Sequence, residues 1–68
     1  MSGEVKYPHI TVELTGQDGN PFFIIGRVGQ ALRRGGVSEV DIVSFREEAQ
    51  SGDYDHVLQT VMRTVVVE

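Results

Sequence analysis

The segment His9 to Gly16, HITVELTG, alternates apolar and polar positions, with Ile10, Val12 and Leu14 on one face and Thr11, Glu13 and Thr15 on the other. A period of two predicts a half-buried strand. From Pro21 the period changes. Ile24, Ile25, Val28, Ala31 and Leu32 fall at i, i+1, i+4, i+7 and i+8, an apolar arc that predicts a helix over Pro21 to Arg34. Asp18 and Gly19 read as the turn before it, Asn20 as its N-cap and Pro21 as a residue suited to the first helical position. Arg33 and Arg34 complement the dipole at its end, where Gly35 is expected to supply a left-handed cap.

A second helix is announced by Ser38 as cap, with Asp41 three residues on and Val37 and Ile42 placed to staple across the cap; it is expected to reach about Gln50 and to end at Gly52. Asp53 or Ser51 then caps a third helix, whose expected apolar stripe is Tyr54, Val57, Leu58, Val61 and Met62. The chain closes on Val65, Val66 and Val67, three β-branched residues that predict a strand. The fold class is therefore α+β. A single small domain of order β-α-α-α-β is expected, its two-stranded sheet covered by three helices, because two strands alone are not stable in water. If every connection reverses the chain the strands run parallel; steeply crossing short helices would leave the orientation open.

At 68 residues the chain can bury only a small core. Residues 1–8 lack a pattern and read as a flexible tail, leaving 9–68 as the globular unit. The absence of cysteine excludes disulfides and thiolate metal sites. With no apolar run near ~20 residues and no basic leader, a cytoplasmic location without membrane contact is the default expectation.

The strand, glycine turn and helix around Gly16 and Gly19 resemble the build of a phosphate loop, but no lysine and no metal-binding hydroxyl follow, and Asp18 would repel an anion. Asp53, Asp55 and His56, with His9 elsewhere, are residue types that bind metals; neighbours on one helical turn nevertheless point apart, and acids there already complement the helix dipole. No cofactor, no metal and no catalytic pair are expected, so the protein reads as a non-enzyme. Gly26 and Gly29 are costly inside a helix and imply either close packing or an entering partner.

Nucleic-acid binding is the competing class. Arg27 and Arg34 share a face of the first helix, and GGVS could form a helix-turn-helix corner. The second helix, however, carries Glu39, Asp41, Glu47 and Glu48 against Arg46, the wrong sign for a groove. Nucleic acid is thus the less favoured partner. Its apolar residues fall on two sides, Ile42, Phe45 and Ala49 opposite Val40 and Val43, and the open sheet edges could accept another strand. Val37, Val40 and Val43 with Arg27 and Arg34 form the expected surface for a protein partner or self-association. The chain as a whole reads as an interaction module.

The run TGQDGN before the first helix, with EEAQSGDYDHVLQTVMR and a valine-rich end, resembles a group of short uncharacterised proteins of actinobacteria and of their phages and plasmids. The likeness spans Ile10 to Glu68 and is most specific at SGDYDHVLQT; the PFF start of the first helix departs from it. That group has no assigned activity. The resemblance implies a shared fold and a mobile-element setting, with nothing about catalysis.

Overall fold

The computed structural model describes residues 5–14 and 20–68. The turn residues Asp18 and Gly19 lie outside them. The order is β1 (Tyr7–Val12), α1 (Pro21–Arg34), α2 (Glu39–Ala49), α3 (Tyr54–Thr64) and β2 (Val65–Val67), the β-α-α-α-β arrangement the patterning predicts. The two strands pair in parallel. Three helices connect them, and α3 passes into β2 with no residue between Thr64 and Val65.

β1 starts at Tyr7, two residues earlier than the alternation suggests, so Tyr7 and Pro8 belong to a strand and not to a tail. Proline explains why the pattern hides it. The register jumps from Tyr7 opposite Val65 to Thr11 opposite Val66, and Pro8, which has no N–H to give a ladder, sits in that irregular stretch. Backbone bonds outside the strands fix both ends: Lys6 N–H donates to the Arg63 carbonyl and Glu68 N–H to the Val12 carbonyl, each at 2.9 Å.

The caps form as their residue types require. Asn20 Oδ1 accepts from Phe22 N–H at 2.8 Å, Ser38 Oγ from Asp41 N–H at 3.4 Å and Asp53 Oδ1 from His56 N–H at 3.0 Å. The end of α1 differs from expectation. Gly35 has φ −79°, and the left-handed residue is Gly36 at φ 88°. Gly36 N–H donates to Arg33 and Val37 N–H to Leu32, the paired bonds of a Schellman cap in which Gly36, one position later, takes the strained conformation. Gly35 is needed for another reason: a Cβ there would collide with the side chain of Ile10.

Ile10, Val12 and Val65 form the buried face of the sheet; α1 packs on β1 with Ile24, Ile25, Val28 and Leu32 in the core, α3 packs on β2, and α2, lying against α1 and α3, adds Ile42, Phe45 and Ala49. α3 turns a different stripe inward from the one its large apolar residues suggest. Val57, Thr60, Val61 and Thr64 are buried, Leu58 is half-buried, and Tyr54 and Met62 are exposed. The threonines can enter the core because each hydroxyl donates to the carbonyl four residues back, Thr60 to His56 and Thr64 to Thr60. Among the described residues no buried side-chain polar atom lacks a partner.

Phe45 is the largest side chain of α2 in this core, so Phe45→Ala is expected to lower stability by about 3–5 kcal/mol, comparable to the whole stability of so small a domain. Loss of the cooperative transition in urea, followed by circular dichroism, is the expected outcome; an unchanged midpoint would contradict this packing.

Candidate functional surface

Three arrangements could carry chemistry or recognition: the cluster at the α2–α3 corner, the arginine face of α1, and the outer face of α2. The corner has the outline of a nucleophile with its base. His56 Nε2 lies 3.2 Å from Ser51 Oγ and 3.1 Å from Glu48 Oε2. A relay needs the hydroxyl and the carboxylate on opposite ring nitrogens. Here both meet the same nitrogen, which also lies 2.9 Å from the Glu48 carbonyl, and Ser51 Oγ donates to that carbonyl at 2.7 Å. In the Nε2–H tautomer the imidazole caps the C-terminus of α2 and ties it to α3. Gly52 belongs to this clasp, since a Cβ there would lie 2.8 Å from His56 Cβ. It lies two residues beyond Gln50, the residue that caps α2.

Asp55 accepts from Gln59 one turn on, and Asp53 is the α3 cap, so the acids of this segment serve the helix. No group of three or more histidine, aspartate or glutamate side chains among the described residues is placed to hold a metal ion. No described helix is long and apolar enough to cross a membrane.

On α1, Phe23, Arg27, Gln30 and Arg34 fall at i, i+4, i+7 and i+11 and are all exposed. Arg27 Nε donates to the Glu13 carbonyl at 3.1 Å. The Val12 carbonyl points to β2, so that of Glu13 points to the outer edge of β1, and Arg27 takes an acceptor that an added strand would use. Between edge and helix runs a groove of about 330 Å³ lined by Thr11, Glu13, Arg27, Gln30 and Arg34. Arg33 faces elsewhere and pairs with Glu39. Through that hydrogen bond Arg33 holds the Glu39 carboxyl below the usual carboxylate range, and Glu39 raises the arginine in return.

The two interior glycines of α1 separate into different roles. Gly29 is buried, with the guanidinium of Arg46 from α2 lying 3.4 Å from where its Cβ would be. Gly26 faces open space: a Cβ there would meet nothing within 4 Å. Beside it stand Phe22, 77% exposed, and Phe23, 57% exposed, and with Arg27 and Gln30 they line a shallow depression of about 400 Å³. The sequence reading overlooked this patch. Its signal is that both phenylalanines lie off the Ile24–Val28–Leu32 arc, on the side of Gly26 and Arg27.

On α2, Val40 is 77% and Val43 48% exposed, and they share a depression of about 390 Å³ with Glu39, Ser44 and Glu47. Val37, expected beside them, is half-buried against the core at the residue after Gly36, where a Schellman cap carries its apolar contact. The expected surface is thus divided. Val40 and Val43 lie together on α2, Arg27 and Arg34 on α1, and Val37 leans inward.

No protein-family model, curated protein or solved structure matches the chain.

Two glycine substitutions should act in opposite directions. Gly26→Ala should raise stability by up to about 1 kcal/mol, since nothing occupies the added space and alanine favours helix. Gly52→Ala should lower it by about 1–3 kcal/mol through the collision with His56. Chemical denaturation of both variants checks the pair, and effects of the same sign would contradict it.

The Glu39 carboxyl should titrate below an ordinary glutamate and return to the ordinary range in Arg33→Gln, as read from its carboxyl carbon shift. A depressed folded-state pKa stabilises the fold above the unfolded value, and that contribution is lost as pH falls through the lowered one. Both side chains are exposed, so the effect on the unfolding midpoint should be small. An unshifted Glu39 midpoint would remove the pair as a link between α1 and α2.

Proposed function

We propose that the protein is a non-enzymatic interaction module that acts through protein–protein contact. The observation that carries this reading is the outer face of α2. One stripe of that helix, Ile42, Phe45 and Ala49, is buried, while Val40 and Val43 remain largely exposed on the other side with Glu47 beside them. Neither valine belongs to the hydrophobic core or to the partly buried residues packed against it. Val37 flanks them, and the α1 face with Arg27 and Arg34 supplies charge of opposite sign. A role as an accessory or regulatory product of a mobile element is the setting the sequence likeness suggests.

Nucleic-acid regulation through Arg27 and Arg34 is the alternative, favoured by their common groove at the edge of β1. Opposing it are the net charge of −4 and the acids of α2. Micromolar duplex binding that weakens steeply with salt and vanishes in Arg27→Glu would favour the alternative.

Val40→Asp and Val43→Asp should keep the circular dichroism spectrum and cooperative unfolding of the wild type. They should lose self-association and the partners that the wild type captures from extracts of its native host, identified by mass spectrometry. Unfolded variants would show that the valines serve the core; folded variants with undiminished capture would remove the α2 face from the proposal.

A further inference from the structure

We propose that the partner of the α2 face is the α1 face of a second copy of this chain, giving a head-to-tail association. The inference rests on the interaction reading above and chooses among its partners. Among the described residues two faces are left exposed, and they share no residue. The α1 face presents Phe22 and Phe23 beside the open notch at Gly26, followed by Arg27, Gln30 and Arg34. The α2 face presents Val40 and Val43 between Glu39 and Glu47.

Charge decides how two copies can meet. Within α1 no acid lies between Asn20 and Ser38. The acid of this side, Glu13, stands in the groove by β1 and not among the residues around Phe22, Phe23 and Gly26, so an α1 face against its own image would set Arg27 against Arg27. An α2 face against its image would set Glu47 near Glu47. The crossed pairing places Glu47 near Arg27 and Arg34 and the valines against the phenylalanines, so both sign and polarity agree.

Shape agrees as well. A glycine without a Cβ leaves a hole in the ridge of a helix, and ridges of a facing helix pack into such holes. Gly26 lowers helix stability, and among the described residues nothing lies within 4 Å of where its Cβ would be. A valine of a second α2 fits that notch. A specific contact of at least ~1,000 Å² in total would take about one-ninth of the 4586 Å² surface of each copy, within reach of two short helix faces. A single-stranded nucleic acid could also stack on exposed phenylalanines beside arginine. It would leave the valines of α2 uncovered, whereas a second copy covers both faces.

Because the two faces differ, the contact is heterologous, and a pair of copies keeps one unused face of each kind, to which further copies can add. Sedimentation velocity tests this. The mass of the wild type should rise above 7.5 kDa with concentration and fall back with added salt. Val43→Asp, with an intact α1 face, should stay monomeric, and so should Phe22→Asp, with an intact α2 face. An equimolar mixture of the two should form a complex of twice the monomer mass that grows no further. Val40→Asp and Phe23→Asp serve as second variants if a first one fails to fold.

A mixture that stays at the monomer mass overturns the proposal, as does either variant forming a dimer alone. A monomeric wild type whose α1 amides shift with a single-stranded oligonucleotide would instead give that face to nucleic acid. If the mixture stays monomeric while the wild type still captures a host protein that Val43→Asp loses, the second copy is the wrong partner and the interaction reading stands. If nothing binds either face, both fail together.

Discussion

The parallel pairing of β1 with β2 is the interaction on which the rest of the structure depends. Parallel strands cannot be joined by a tight turn, so the residues between them must travel out and back across the sheet. Here that crossover is three helices, and they constitute most of the domain. The sheet they cover is short and irregular, with Pro8 interrupting its ladder, and could not persist alone. Its stability comes from the layer in which Ile10, Val12 and Val65 meet Val28 and Leu32. Sheet and helices are mutually required, and a cooperative transition follows from that dependence.

Size then limits what each helix can bury. With so small a core only one stripe of α2 turns inward, and α1 leaves two phenylalanines on its outer side. The apolar surface left outside is arranged with charge of opposite sign on two different helices. This arrangement is the physical basis of the proposed function: the surplus is a consequence of smallness, and it lies beside Arg27 and Arg34 on one face and Glu47 on the other.

Much of this was legible in the residues because short-range rules decide it. Asn20, Ser38 and Asp53 are caps by side-chain chemistry, Pro21 opens α1, and the buried stripe of α2 follows from periodicity. What escaped depends on three-dimensional neighbours or on backbone alternatives close in energy. Gly35 and Gly36 are equally able to adopt positive φ, and the approach of Ile10 to Gly35 separates their roles. Thr60 and Thr64 read as polar, yet their hydroxyls are satisfied within α3 and only their methyl groups count in the core. Tyr7 joins β1 because of pairing with Val65, a contact 58 positions away that no local pattern carries. The difference between Gly26 and Gly29 lies wholly in whether Arg46 reaches them.

Two unlike helix faces are left exposed by folding, and their proposed recognition of each other is open to direct measurement. Backbone amide shifts of the wild-type protein, followed from dilute to millimolar concentration, test it most directly. The account predicts that two separate sets move together with one apparent affinity, Phe22 to Arg34 on the outer side of α1 and Glu39 to Glu47 on the outer side of α2, while Val57 to Thr64 stay in place. Movement of one set alone, or a spectrum unchanged over that range, would contradict it.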